Sequence, residues 1–352
     1  MFKSRLKKYA FINAKLRGRI SRILSFEDLN NMAQSRSAGE TLQQLARLGY
    51  ENLQTVFEQT GDLKSVELEL SSAEINIFTG IEKHLEHEVL FFYRLLIDRY
   101  EAAIIKNILR LWFFHHVRGF DISSERPYLY RKDIHCKIPA DQMLTAKTLE
   151  EFAGLLAESP WGKAVQAGIK NTTDNKSIFY IELELDRLYY QRLLNGAGRL
   201  DTPDYKIAEK LVKCELNLEN ISALIRYKTI YNLPAEQAAS CLINFQAAGS
   251  ETVAKLYSGS SAEIMRKLLD KKYASLLVMI SGSGQDSSPL MVDRLLYFIL
   301  VQEVKKILCS YPFTIGIILA WFILKRQEIK NIRSILNARM YNLDADRMRS
   351  LV

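Results

Sequence analysis

At 352 residues, 48% hydrophobic and 25% charged with only 7 Pro and 16 Gly, the chain is longer than one hydrophobic core serves, so two or three domains are expected. So few breakers describe an ordinary globular protein that favours helix over sheet. The formal net charge of +8, spread over 48 basic and 40 acidic residues, is too diffuse to single out nucleic acid, an anionic membrane surface or an acidic partner.

The N-terminal stretch MFKSRLKKYAFINAKLRGRISRILSFED carries eight Lys or Arg before its first acid, Glu27. A targeting presequence or a membrane-surface helix would be basic in this way. Tyr9, Ile12, Leu16, Ile20 and Ile23 nevertheless recur at spacings of three and four, which predicts a structural first helix. Ser25 with Asp28 reads as a capping box for the next one.

Three stretches then share one pattern. EAAIIKNILRLWFF from Glu101, NLENISALIRYKTI from Asn217 and EIKNIRSILNARMY from Glu328 are all apolar at offsets +1, +4, +7 and +8 from their first residues. Those positions form a single helix face. Upstream of each lies a Thr- or Ser-led amphipathic helix closing on an aromatic: TLQQLARLGY on Tyr50, TLEEFAGLLAESPW on Trp161 and SAEIMRKLLDKKY on Tyr273. The aromatics are evenly spaced along the chain, and the step from each to the motif that follows it, at Glu101, Asn217 and Glu328, is nearly constant. A period of about 112 residues is too long for a solenoid repeat and suits a small domain.

The expected architecture is therefore all-α, with three helical repeat domains at 1–120, 121–233 and 234–352 in a pseudo-threefold arrangement. Between the motifs the apolar period is helical, as in FYIELELDRLYYQRLL and LMVDRLLYFILVQEVKKIL, and no alternating strand run stands out. Loops are expected at 118–142, 195–204, 232–237 and 281–289, where Gly, Pro, Ser and Asp cluster. FTIGIILAWFILK (313–325) is the most apolar run, but Lys325 and Arg326 close it. It falls well short of the about 20 residues that a spanning helix needs, so it reads as a core helix.

Chemistry is sparse. GLLAESPWGK lacks the spacing of a phosphate loop, and HExxH, GxSxG and GxGxxG are absent, so none of those reaction classes is marked. Cys136, Cys214, Cys241 and Cys309 lie far apart without CxxC, which predicts reduced, mostly buried thiols rather than disulfides or zinc ligation. His84 and His87, three apart among Glu82, Glu86 and Glu88, could make a metal site on a helix, but solvated side chains on an acidic face are preferred. His115 and His116 close the first motif, where a helix C-terminus suits an imidazole. Glu182, Glu184 and Asp186 are read as solvated positions paired with Arg187 and Arg192, since nothing marks a pocket that would split their pKa values. No catalytic, cofactor or metal residue is assigned, which favours a binding or mechanical role.

The segments YAFINAKLRGRISRILSFEDL, AKTLEEFAGLLAESPWGKAV, IELELDRLYYQRLL, NLENISALIRYKTI and PFTIGIILAWFILKRQEIKNIRSILNARMYNL resemble the C subunit of V-type and A-type ATPases, related to the d subunit of the eukaryotic vacuolar enzyme. They run from Tyr9 to Leu343, and the last, with Pro312, Gly316, Lys325, Glu328, Asn331 and Arg333, is the most specific. The resemblance implies a three-domain helical funnel, peripheral on the cytoplasmic side of the membrane, in one copy per complex. It would sit on the rotor ring of proteolipid subunits, receive the D- and F-type central stalk subunits in its cavity and transmit torque for proton or sodium transport. It implies no catalytic residue, no cofactor, no nucleic acid and no transmembrane segment. Lys106, Arg110, Arg226, Lys228, Lys330, Arg333 and Arg339 are the candidate partner-contact residues, as a cation-lined concave surface for an acidic stalk foot or ring loops. Ser222 stands where the other motifs have Lys106 and Arg333, and Asn337 where they have Arg110 and Arg226, so a threefold ring of charge would be broken. Two other classes stay open: a basic helical nucleic-acid-binding protein using patches such as RPYLYRK (126–132), and a helical enzyme with a pocket that no motif marks.

Overall fold

Amphipathic runs with few breakers fold here as helix, and no strand occurs among the described residues. The computed structural model describes residues 2–243, 250–269, 273, 289–341 and 343; the expected 281–289 loop lies almost wholly outside them. The chain forms two compact units, Met1–Leu200 with Trp321–Val352, and Asp201–Ala320.

In the first unit, α1 (Phe2–Ile20) buries Tyr9, Ile12 and Leu16 as expected of a structural helix. The Ser25–Asp28 capping box then starts α2 (Phe26–Gln34), followed by α3 (Ala38–Arg47), α4 (Glu51–Thr60) and α5 (Leu63–Thr79). A 3-10 turn, Glu82–His84, leads into the long α6 (His87–His116). The 118–139 segment is irregular apart from one turn at Arg126–Tyr128. Four helices complete this stretch: α7 (Ala140–Thr145), α8 (Leu149–Gly154), α9 (Gly162–Asn175) and α10 (Phe179–Ala197).

In the second unit, α11 (Thr202–Thr229) packs against α12 (Ala235–Ser240), α14 (Ser261–Leu268) and α15 (Pro289–Leu308), while α13 (Ser250–Tyr257) packs on α12. The last helix, α16 (Gly316–Met340), begins in this unit and continues into the first. Its apolar start is a core segment, with Ile315 and Ile317 to Ile323 all buried.

The motif helices pack chiefly on helices far from them in the chain or following them. Ile329, Ile332, Ile335 and Leu336 of α16 join one core with Leu24, Leu42, Leu45, Leu53 and Leu70 near the N-terminus. Helix α6 packs on α7 and α10, and α11 on α14 and α15. Phe78 anchors the first unit's aromatic core, with ring centroids 4.6 Å from Phe322 and 5.1 Å from Trp321.

The expected 195–204 loop is shorter in the structure. Asn195 to Ala197 end α10 and Thr202 starts α11, because Asp201 caps that helix by accepting from the Asp204 N–H. Asp204 itself is fully buried and accepts from the Ile315 N–H at 3.0 Å. The cysteines are free, but only Cys241 is buried; Cys136 and Cys214 are half-buried and Cys309 is exposed, so the expectation of mostly buried thiols is corrected.

Candidate functional site

Each closing aromatic meets a buried carboxylate. The Tyr50 hydroxyl donates to Glu328 Oε1 at 3.0 Å, and Lys325 donates to the same hydroxyl at 2.9 Å while pairing with Glu328 Oε2 at 3.0 Å. Burial first, then the Glu328 charge, drives the Tyr50 hydroxyl far above the ordinary phenol range. Trp161 Nε1 donates to Glu101 Oε2 at 2.9 Å. The Tyr273 hydroxyl donates to Glu303 at 2.5 Å, and Lys306 and Lys210 hold that carboxylate at 2.7 and 3.0 Å. Glu101 and Glu328 are the first residues of their motifs; the remaining motif opens on Asn217, and α15 supplies the acid instead.

The seven candidate contact cations fall into place one by one. Lys106 bonds Asp186 at 2.5 Å and Arg110 bonds Glu182 at 2.7 Å, fastening α6 to α10. Arg226 and Ser222 both bond Asp293 of α15. Lys228 donates to the Gly259 carbonyl. Arg333 reaches Glu74 at 3.1 Å, Ser71 at 3.3 Å and Glu67 at 3.6 Å on α5. Arg339 donates to the carbonyls of Ala33 and Ser35 at the C-terminus of α2, where the exposed carbonyl ends attract a cation. Only Lys330 of the seven is exposed with an ammonium that has no partner among the described residues.

Lys330 and Arg333 line a cavity of about 610 Å³ in the first unit. Its walls come from α5, α6, α16 and residues 125–130. Five cations (Lys64, Arg99, Arg326, Lys330 and Arg333) and three carboxylates (Glu67, Glu74 and Glu125) line it, together with Tyr100, Tyr128, Tyr130 and Tyr341. Arg333 with Glu74 and Lys64 with Glu125, at 2.6 Å, neutralise part of this charge.

A second polar cluster leaves no mark in the sequence. Glu101 Oε1 accepts the backbone N–H of His135 and of Cys136, both at 2.8 Å, and its Oε2 accepts from Trp161 and from Cys136 Sγ at 3.2 Å. Burial and the adjacent Glu101 carboxylate push the Cys136 thiol up to about 12. His135 Nε2 lies 2.8 Å from Glu82 and its Nδ1 lies 3.3 Å from Asp98. Arg94 and Arg192 hold the other oxygens of Glu82 and Asp98, each at 2.8 Å. Asp98, Glu101 and His135 have ligand atoms within 4.8 Å of one another, a metal-like grouping, yet the Glu101 oxygens are taken by four donors and two guanidiniums stand beside the cluster. That donor set suits a proton better than a metal ion.

Other readings need correction. His84 and His87 do not share a helix: His84 ends the 3-10 turn and His87, at φ 46°, begins α6. His84 instead lies 2.8 Å from Lys15 of α1, and burial with the Lys15 charge lowers its pKa. Arg187 does pair with Glu184, at 2.6 Å, but Arg192 reaches Asp98, while Glu182 and Asp186 bind α6.

Residues 12–351 match the family described as ATP synthase (C/AC39) subunit. The C subunit of the A-type ATP synthase of Thermococcus gammatolerans is 23% identical over 346 residues, covering 98% of this chain and 89% of that protein. The protein of the same name from Methanocaldococcus jannaschii is 22% identical, with 98% and 86% covered, and that of Desulfurococcus sp. is 21% identical, with 97% and 90% covered. No helix among the described residues is long and apolar enough to cross a membrane.

Proposed function

This chain belongs to the ATP synthase (C/AC39) subunit family, and on that premise we propose that it is the non-catalytic coupling component of a rotary ATPase, joining the central stalk to the membrane rotor ring. One copy per complex would sit on the cytoplasmic side, with the proteolipid ring on one face and the D- and F-type stalk subunits in a funnel built from three repeats. The observation that carries this reading is the repeated tie: an aromatic bound to a buried carboxylate in each repeat, beside a motif helix fastened to its neighbour by ion pairs. A torque-bearing element needs helices that cannot slide, and charged hydrogen bonds across close-packed apolar faces resist sliding.

The three repeats are proposed to exchange their motif helices, so that the opening half of one packs on the motif helix of another. The exchanged cores support this, as α16 completes the N-terminal core. Among the candidate contact cations, Lys330 is the one that is exposed with no side-chain partner among the described residues, and it is proposed to meet an acidic stalk surface first. Arg110 and Arg226, roughly half exposed, would add to it by exchanging partners.

The test is affinity capture of the tagged protein from membranes of its own source in mild detergent, read by mass spectrometry. Recovery of a small proteolipid with stalk and catalytic ATPase subunits supports the role; recovery of nucleic-acid partners alone overturns it. Lys330→Glu, which breaks no ion pair among the described residues, is expected to weaken capture of the stalk subunits. Unchanged stalk recovery removes Lys330 from the contact.

A further inference from the structure

We propose that His135 is a proton-operated latch, which in its doubly protonated form fastens the 118–139 segment to α6 and so braces one wall of the first unit's cavity. The geometry points to this directly. Both imidazole nitrogens face carboxylate oxygens, Glu82 from the 3-10 turn and Asp98 from α6, at 2.8 and 3.3 Å. A neutral imidazole has a single N–H, so one carboxylate would then face a nitrogen lone pair. Only the imidazolium satisfies both.

The segment so held is the one that supplies Glu125, Tyr128, Leu129 and Tyr130 to the cavity. It has no counterpart in the other repeats, and nothing in the proposed coupling role uses its histidine. Burial disfavours the charged ring, but the bonds to Asp98 and Glu82 outweigh it and the pKa of His135 is raised. A base whose pKa is raised on folding stabilises the folded contact fully below its ordinary value of about 6.5. That contribution is lost as pH rises through the higher folded value.

Other charged groups surround the ring. Arg94 and Arg192 pair with Glu82 and Asp98 through oxygens that His135 does not use, so those pairs do not depend on the imidazole proton. Glu101 holds the backbone of His135 and Cys136, and the Cys136 thiol titrates only at about 12. Asp133, in the segment itself, accepts from the Ile138 N–H. The segment's outer tie joins Asp141, held low by Arg126, so it persists across the same interval. Raising the pH therefore removes the side-chain tie of His135 alone and loosens the 133–137 turn, which Glu101 and the segment's outer pairs still hold.

The experiment uses the full chain, with selectively labelled histidine followed by NMR from mildly acidic to mildly alkaline pH and hydrogen exchange of the 118–139 amides, corrected for intrinsic base catalysis, over the same range. His135 is expected to titrate above its ordinary value. The corrected exchange of the segment should rise across that titration. His135→Gln should abolish the pH-dependent part, and Glu82→Gln, which leaves Asp98 and Arg192 in place, should lower the midpoint. A His135 midpoint at or below the ordinary value overturns the latch, as does a wild-type exchange profile parallel to that of His135→Gln. Should His135→Gln fail to fold, an unmoved midpoint in Glu82→Gln overturns it equally.

Discussion

Replacing Glu101 by Gln tests whether one buried carboxylate holds together α6, the 133–137 turn and Trp161. Glu101 is 1% exposed and accepts from four donors, two on each oxygen. Glutamine keeps the shape but offers one acceptor oxygen; its amide must face either two backbone N–H groups or the indole N–H with the thiol. Whichever way it turns, at least one strong buried donor loses its acceptor, at about 1–3 kcal/mol each. Loss of the charge also weakens the bonds that remain. Together these predict a destabilisation of about 3 kcal/mol. Trp112, Trp161 and Trp321 all lie in the first unit, so tryptophan fluorescence in a urea titration reports that unit's unfolding. A double-mutant cycle with Trp161→Phe should give a coupling of about 1 kcal/mol or more. A Glu101→Gln protein within about 0.5 kcal/mol of wild type, the range of an ordinary surface change, would refute the idea that this carboxylate is the clamp.

Other consequences follow from close contacts and caps. A methyl group at Gly168 would lie 2.6 Å from the Ile181 Cα, so Gly168→Ala should force α9 from α10 and cost about 1–3 kcal/mol in the same fluorescence assay. Thr148 caps α8 by accepting from the Glu151 N–H; Thr148→Ala should cost about 1 kcal/mol in the same titration. Tyr50→Phe takes a donor from Glu328 and an acceptor from Lys325, whereas Tyr273→Phe leaves Glu303 with two lysines. Urea titrations should therefore show the Tyr50 change as the more costly. Burial works to raise the pKa of Glu303, but bonds from Lys306, Tyr273 and Lys210 win and hold it well below its ordinary 4.5. Its contribution to the second unit is thus present above 4.5 and lost as pH falls further, and Glu303→Gln should flatten that acid limb in hydrogen exchange of 291–308.

The helices and their apolar faces were legible because offsets of three and four leave a local trace. A stronger signal lies in the caps. Ser37, Thr148 and Ser260 cap α3, α8 and α14, each at the same remove from Tyr50, Trp161 and Tyr273, with Glu40, Glu151 and Glu263 three positions on. Starting the outer two elements at Thr41 and Ser261, as the apolar pattern suggests, hides those caps. What could not be read were ties across long separations. Nothing local to His135 announces Glu82 53 residues earlier, and nothing local to Tyr50 announces Glu328 278 residues later. The sequence marks Lys106, Arg110 and Arg333 as cations on a helix face, but whether that face meets solvent or a neighbouring acid is decided by packing.

The tie around Tyr273 shows what such a contact requires. The motif helix in its unit opens on Asn217 rather than Glu and carries Ser222 where the others have a cation, yet the aromatic still ends on a buried carboxylate and the motif helix is still fastened to an acid on the neighbouring helix. The acid stands on α15 as Glu303, and Arg226 joins Ser222 on Asp293. Apolar faces alone would let two helices slip by a turn at little cost, since one leucine stripe packs on another in several registers. A buried carboxylate accepts from only one aromatic position without leaving orphaned groups, so it penalises every register but one. Placing that acid on either partner gives the same penalty. This is why the residue can change helices while the register is kept, and why the mechanical reading rests on the ties and not on a threefold ring of charge.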